Sequence, residues 1–180
     1  MARPNPLQVL GDDEQARALL ERRAAELARH AEEAVAPVLE PFVHFHLGQG
    51  HEYGVPCRWV DEVVAVPAIA RVPGAPAPLL GVINRRGRML PVVDLRLHFG
   101  LASDAGVAPA LHDVVVVSAG DHAIGLRVSG LIGMSEYPPD ALVPGPVEPG
   151  AAGGSQFLGL LPQQHLAMLD AEKILGDLCA

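Results

Sequence analysis

The sequence contains few aromatic residues, few cysteines and a single lysine. Aromatic side chains make up 4% of the 180 residues, so the core has to be built from Val, Leu, Ile and Ala. The two cysteines, Cys57 and Cys179, are far apart in the chain and belong to no Cys-x-x-Cys motif. The sequence therefore predicts neither a disulfide framework nor a structural zinc site.

Positive charge and long apolar runs are also scarce. Lys and Arg number 13 against 21 Asp and Glu, which gives a formal net charge of −8, whereas nucleic-acid-binding proteins present a basic surface. The longest apolar runs fall far short of the roughly 20 residues that a membrane-spanning helix needs, and the first residues lack a signal-peptide pattern. We expect a cytoplasmic protein with no nucleic-acid partner and no direct membrane insertion.

The sequence has none of the common catalytic motifs. It contains no Gly-x-Ser-x-Gly, no His-Glu-x-x-His and no Gly-x-x-x-x-Gly-Lys-Ser/Thr sequence, which mark hydrolase, metalloprotease and nucleotide-binding sites. We therefore expect no catalytic residue, no cofactor and no enzyme activity.

Three histidines form the one pattern with metal chemistry. His44 and His46 share one face of a predicted strand and His51 follows across a turn, an arrangement that binds a divalent metal when a carboxylate joins it. Because the two strand histidines lie opposite the apolar face and no further ligand is specified, solvent-facing histidines are the favoured interpretation. A small β-barrel metal-binding protein is the alternative.

The N-terminal part of the chain predicts a helix. Apolar residues recur every three or four positions over residues 11–33, Asp12 is a suitable N-cap, and Pro37 prevents continuation. We expect residues 1–36 to form an N-terminal helical extension and residues 37–180 to form a separate domain.

From Phe42 onwards, short β-branched runs alternate with glycine and proline. Many short strands with turns between them indicate a barrel or a sandwich. Strands are predicted at 42–47, 53–60, 62–66, 79–83, 88–95, 113–118, 123–128, 157–161 and 165–169.

The sequence also repeats itself. A shift of 71 residues places 43–60 over 114–131, a shift of 78 places 79–83 over 157–161, and a shift of 76 places Asp94 over Asp170. The repeat predicts two similar five-stranded units, at about 42–100 and 113–178. Each unit should contain a short helix, capped by Asp94 in the first unit and by Asp170 in the second. Small closed barrels are favoured because closure removes exposed strand edges.

Residues 84–88, NRRGR, place three arginines in a tight turn between two apolar strands. Gly87 supplies the backbone angle that such a turn requires. Guanidinium groups on a rigid turn suit bidentate pairing with carboxylates of a partner. A solvated hairpin tip is the alternative interpretation.

Together these motifs resemble the family of CheW-like domains. GVINRRGRMLPVVDLRLHFGL at 81–101 is similar to the family signature, and YGVPCRWVDEVV at 53–64 is similar to its upstream Val-x-Glu element. HAIGLRVSGL, FLGLL and LAMLDAEKIL are similar to elements of its second half, so the resemblance spans about residues 42–178. One departure is Ser129, where the family usually carries aspartate.

The resemblance implies two intertwined five-stranded SH3-like β-barrels without a catalytic site. It also implies a scaffold that binds the regulatory domain of a chemotaxis histidine kinase and the cytoplasmic hairpin of a chemoreceptor (a methyl-accepting chemotaxis protein) in membrane receptor arrays. A non-flagellar chemosensory pathway, for pilus motility or surface sensing, is the alternative. The residues that the resemblance assigns to partner binding are Val60, Glu62, Asn84, Arg86 and Gly87.

Overall fold

The computed structural model describes residues 20–23, 38–48, 50–101, 110–145 and 156–179. The chain divides into two units, residues 1–38 and 39–180. In the first unit residues 20–23 are helical, and the rest of the predicted helix lies outside the described residues. The predicted domain boundary after residue 36 stays a prediction.

The second unit consists mainly of short strands, as the turn-rich sequence predicts. Within the described residues the strands are Glu40–His46 (β1), Glu52–Pro56 (β2), Val60–Val66 (β3), Leu79–Arg85 (β4), Arg88–Asp94 (β5), His112–Ala119 (β6), His122–Arg127 (β7), Gly130–Tyr137 (β8), Phe157–Leu161 (β9) and Leu166–Leu169 (β10). The helices are Leu95–His98 (α1) and Ala171–Cys179 (α2).

The strands form two five-stranded barrels that exchange segments of the chain. Barrel I has the strand order β8-β1-β2-β10-β9, and barrel II has the order β3-β6-β7-β5-β4. The chain therefore leaves barrel I after β2 and returns to it with β8. Each barrel takes strands from both repeat units, and the predicted pair of intertwined SH3-like barrels is confirmed.

The crossing from barrel I to barrel II corrects one predicted strand. The sequence predicts a continuous strand over 53–60, but β2 ends at Pro56 and Cys57–Trp59 form a 3₁₀ turn before β3. Trp59 packs against buried apolar residues, and the Arg58 guanidinium lies 4.2 Å from the centre of its ring. The turn redirects the chain because Pro56 fixes its own backbone angle and cannot donate a hydrogen bond to the sheet.

Three apolar cores stabilise the two barrels, and one of them is shared between both. A central core combines Val43, Phe45 and Leu47 of barrel I with Val115 and Leu126 of barrel II. The inward face that alternation predicts for 43–47 is thus confirmed, and it belongs to a core that both barrels share.

The opposite face of β1 contributes to a second core. Phe42 packs inside barrel I with Tyr137 and Met168, and the His44 side chain on the same face is only 14% exposed. The expectation that this face points to solvent is wrong, because a barrel strand buries one face against the neighbouring barrel and the other inside its own. In barrel II, β6 does the same: Val116 packs inside the barrel.

Two glycines of the repeat allow a loop to approach each barrel closely. Gly81 and Gly159 are equivalent under the 78-residue shift. A Cβ atom on Gly81 would lie 2.1 Å from the Ala70 carbonyl oxygen, and one on Gly159 would lie 2.7 Å from that of Val143. In both places the next residue pairs with the loop through two backbone hydrogen bonds of 2.8–2.9 Å, so the repeated Leu-Gly dipeptide has a packing cause.

A buried ionic cluster connects the two sequence halves in barrel II. The Asp94 carboxylate accepts hydrogen bonds from the Arg96 backbone N–H at 2.9 Å and from Arg127 Nη1 at 2.8 Å. Burial is the largest influence on the pKa of Asp94 and raises it, but the hydrogen bonds and charges of Arg96 and Arg127 outweigh burial, so the pKa lies below its ordinary value. The predicted capping of α1 by Asp94 is confirmed, and Asp170 caps α2 through Lys173 N–H at 3.2 Å.

We predict that Gly81→Ala destabilises the protein by about 1–3 kcal/mol, because the added methyl group overpacks against the Ala70 backbone. Gly130→Ala is the matched control, since a Cβ atom there meets nothing within 4 Å. Urea denaturation measures both variants. Equal stabilities of the two would show that the close approach at Gly81 is relieved without cost.

We predict that Asp94→Asn lowers the free energy of unfolding by about 3–5 kcal/mol at neutral pH, because it removes the buried carboxylate that pairs with the largely buried guanidinium groups of Arg96 and Arg127. Since the pKa of Asp94 is lowered in the folded state, its stabilisation is complete above the unfolded value of about 3.9 and disappears as pH falls through the folded value. Denaturation curves at several acidic pH values measure this dependence, which the variant should lack.

Asp170→Asn provides the control for this cluster. Asp170 also caps a helix, but its ionic partner Lys173 has a side chain that is 55% exposed, so the expected loss is about 1 kcal/mol. A loss at Asp94 no greater than that at Asp170 would contradict the importance of the buried arginines.

Candidate partner-binding site

The arginine-rich turn has a defined backbone geometry. Arg85 pairs with Arg88 at the end of the β4–β5 ladder, and the two residues between them, Arg86 and Gly87, have φ angles of 51° and 83°. Positive φ at both central residues is typical of the tight turns that match the twist of a hairpin. The Asn84 Oδ1 atom accepts a hydrogen bond of 3.0 Å from the Gly87 N–H, which fixes the turn from inside.

A bidentate ion pair fastens this hairpin to β3. Arg85 donates from Nε to Glu62 Oε1 at 2.8 Å and from Nη2 to Glu62 Oε2 at 2.5 Å. The hydrogen bond from Arg85 is the main cause that lowers the pKa of Glu62, with smaller contributions from the Arg85 and Arg86 charges. Because β3 and β4 are the two end strands of barrel II, the pair bridges them at this point and anchors the exposed turn to β3.

Arg86 stays available because Arg85 satisfies the carboxylate. Arg86 Nη2 lies 3.7 Å from Glu62 Oε2, beyond hydrogen-bond distance, and its side chain is 84% exposed. The turn therefore presents the Arg86 guanidinium to solvent from a backbone that is held by Asn84 and Arg85, next to the exposed Arg88.

A groove of about 510 Å³ opens beside the turn, at one end of barrel II. Its apolar surface includes Leu90, Val116 and Ala123, which belong to β5, β6 and β7. Its charged rim consists of three carboxylates and three guanidinium groups, from Asp61, Glu62, Asp121, Arg85, Arg86 and Arg88.

The structure brings together some of the five predicted site residues. Glu62 and Arg86 line the groove, and Asn84 and Gly87 shape the turn that borders it. Val60 lies at the start of β3, opposite Val117, and packs against the central core. The assignment of these five residues to partner binding stays a prediction.

The sequence analysis missed four charged residues of this site, because Arg85 and Arg88 of the turn, Asp61 and Asp121 were not among its site residues. Arg85 was placed in the turn without a separate role, although it makes the ion pair to Glu62. Asp61 accepts a hydrogen bond of 2.8 Å from the Ser118 hydroxyl, and Asp121 reaches the groove from the β6–β7 turn. The acidic pair at 61–62 was visible in sequence, but Asp121 comes from the other repeat unit and had no local signal.

Ser129, the departure from the family pattern, has a structural contact. Its hydroxyl accepts a hydrogen bond of 2.9 Å from the Gly48 N–H, and its own N–H donates to the His46 carbonyl at 2.9 Å. The residue thus ties the connection between β7 and β8 to the end of β1.

The three histidines considered as metal ligands are not brought together. His44 Nε2 lies 3.0 Å from Glu52 Oε2, and His51 is exposed. In the parts of the chain that the structure describes, no three His, Cys, Asp or Glu side chains cluster closely enough to hold a metal ion. Nor does any helix among the described residues have the length and apolarity for a membrane crossing.

The comparisons with known proteins agree on one family. The profile of the CheW-like domain matches residues 41–179. The chemotaxis protein CheW of Klebsiella aerogenes is 29% identical over 159 residues, which cover 85% of this chain and 92% of that protein. Protein FrzA of Myxococcus xanthus is 29% identical over 126 residues, which cover 68% of this chain and 77% of that protein.

A solved structure shares the fold. The crystal structure of the scaffolding protein TtCheW from Thermoanaerobacter tengcongensis superposes with a TM-score of 0.63 at 23% sequence identity, and the match covers 73% of this chain and 89% of that one. The two intertwined barrels described above are therefore a known architecture.

We predict that the pKa of Glu62, which Arg85 lowers, returns towards its ordinary value in Arg85→Gln, because the neutral amide removes both the charge and the bidentate contact. Carboxyl-carbon NMR titration of Glu62 measures the change. In Arg86→Gln, the control, the pKa should rise less, since Arg86 makes the weaker contact. An equal rise of the Glu62 pKa in both variants would show that the combined positive charge of the turn lowers this pKa, and not the bidentate contact with Arg85.

Proposed function

This chain belongs to the family of CheW-like domains, and on that basis we propose that it is a non-enzymatic scaffold that couples chemoreceptors to a chemotaxis histidine kinase. The proposed partners are the cytoplasmic hairpin of a chemoreceptor and the regulatory domain of the kinase. The proposed location is the cytoplasmic side of membrane receptor arrays. The observation that supports this best is the rigid arginine turn beside the groove of barrel II.

The turn suits reversible recognition of a receptor hairpin. Arg86 is exposed, and its backbone is fixed by the Asn84–Gly87 hydrogen bond and the Arg85–Glu62 pair. Because the backbone is already fixed, binding a carboxylate of the partner requires ordering of the Arg86 side chain and not of the turn itself. Since an exposed ion pair contributes only about 0.2–1 kcal/mol, contacts of this kind allow assembly and release, as signalling requires.

A scaffold needs a second surface for its second partner, and barrel I offers one. Strand β8 exposes Leu131, Ile132 and Met134, with Met134 72% exposed. Under the repeat, Ile132 and Gly133 occupy the positions of Asp61 and Glu62 on β3, so β8 lacks both carboxylates. The corresponding strands of the two barrels thus differ in chemistry, which supports separate partners for the charged groove and the apolar strand.

The alternative is the same scaffold role in a non-flagellar pathway, for pilus motility or surface sensing. Both versions require receptor and kinase contacts, so the surfaces described above do not separate them. The genes next to this one do: a flagellar receptor and kinase there would support the first version, and pilus or surface-sensing genes would support the second.

We predict that Arg86→Glu reduces binding of the cognate receptor hairpin about tenfold or more, because it opposes like charges across the contact. The thermal melting temperature should change little, since the Arg86 side chain is 84% exposed. Pull-down and calorimetry with purified receptor fragment and kinase measure the effect.

Arg71→Glu is the control for this substitution. Arg71 is also an exposed arginine, on the connection between β3 and β4, and it is not among the residues that line the groove. The control variant should bind the receptor normally. Unchanged binding by Arg86→Glu would remove Arg86 from the interface.

A further inference from the structure

The charges around the mouth of barrel II are separated by sign. Asp61 and Asp121 come from β3 and from the β6–β7 turn, whereas Arg86 and Arg88 come from the β4–β5 hairpin. In the strand order of the barrel, β3, β6 and β7 are consecutive, and β5 and β4 follow. The rim therefore has an acidic side and a basic side, with the apolar surface of the groove between them.

Four of the six rim charges are available to a partner. Glu62 and Arg85 neutralise each other in their bidentate pair. Asp61 accepts one hydrogen bond, from the neutral Ser118 hydroxyl, and Arg86 lies 3.7 Å from the carboxylate that Arg85 already holds. Among the described residues, Asp121 and Arg88 have no ion pair.

The apolar surface of the groove suits an apolar side chain of the partner. Val116 and Leu90 are buried members of the barrel II core, and Ala123 packs against them. Met89, which also lines the groove, is 62% exposed. A partner that covers this methionine removes apolar surface from water, which favours binding.

The geometry of the groove favours recognition by side chains. Around the groove, β3 is paired with β6, β6 with β7, and β4 with β5. At the groove, the seam between the end strands β3 and β4 is bridged by the side chains of Glu62 and Arg85. A helix that places one face into the groove fits this arrangement better than an added strand does.

We propose that this groove selects its partner by a two-sided charge pattern and takes a helical segment with an apolar stripe between an acidic and a basic flank. The acidic flank pairs with Arg86 and Arg88, and the basic flank pairs with Asp61 and Asp121. The proposal rests on the scaffold function proposed above and deepens it, because it names the chemistry by which one receptor hairpin is distinguished from another.

Because the charges of the rim cancel, selection depends on how charges are arranged on the partner and not on the partner's net charge. Three carboxylates and three guanidinium groups on the rim cancel, although the whole chain carries a net charge of −8. A segment with two acidic flanks meets Asp61 and Asp121 with like charge, and a segment with two basic flanks meets Arg86 and Arg88 in the same way. Both are disfavoured by repulsion on one side, which is how charged surfaces exclude wrong partners.

Three synthetic helical peptides of about 20 residues, above the roughly 12–15 residues below which isolated helices are marginal, test the proposal. They share one apolar stripe and carry an acidic and a basic flank, two acidic flanks or two basic flanks. NMR titration of the full chain measures the affinity of each. The helix with mixed flanks should bind about fivefold or more tightly than the others, by the sum of several exposed charge contacts, and the difference should vanish at about 1 M salt.

Two double variants should change the preference in opposite directions. Asp61→Lys with Asp121→Lys makes the available rim charges all basic and should favour the helix with two acidic flanks. Arg86→Glu with Arg88→Glu makes them all acidic and should favour the helix with two basic flanks. All four positions are exposed, and thermal melts check that both variants fold.

Equal binding of the three helices, binding by none of them, or preferences that the double variants leave unchanged would each overturn the charge-pattern proposal. The scaffold function would then still be judged separately, by whether the unaltered chain assembles with purified receptor and kinase. Failure of that assembly, with the helix preferences as expected, would overturn the scaffold function and leave the groove as a selective helix-binding site.

Discussion

Four strand pairings join the halves of this chain: the parallel β5–β7 and β2–β10 ladders and the antiparallel β3–β6 and β1–β8 ladders. The other ladders among the described strands are antiparallel and connect neighbours in sequence. Because each barrel is completed only by strands of the other half, neither repeat unit can bury its apolar faces alone. The central core, to which both barrels contribute, follows from this exchange, and so does the position of Asp94 next to Arg127 across the β5–β7 pairing.

Much of this architecture could be predicted from local sequence. The strands were visible because their apolar residues alternate, and the two capping aspartates stand directly before their helices. Strand β8 was missed because Gly130 and Gly133 interrupt its apolar pattern. The repeat could have predicted this strand, since the 71-residue shift places Val60, the first residue of β3, over Leu131 of β8. The break at Pro56 was missed because a residue pattern does not state which barrel a strand joins.

The same holds for the candidate site: its local turn could be predicted from the sequence, but contacts between distant parts of the chain could not. The turn at 84–88 was predictable, because glycine and asparagine at those positions suit a tight hairpin. Which arginine would pair with Glu62 was not, because the answer depends on how the hairpin twists towards β3. Asp121 was also beyond prediction, since it reaches the rim only through the packing of one repeat unit against the other.

The backbone of Arg86 has a consequence of a different kind. With φ of 51°, this residue adopts a left-handed conformation that is unfavourable by roughly 1–2 kcal/mol for any residue with a Cβ atom. Glycine would relieve that strain but would present no guanidinium. Stability and the proposed recognition therefore oppose each other at position 86: drift towards a more stable fold would favour glycine, and selection by the proposed partner would keep an arginine there.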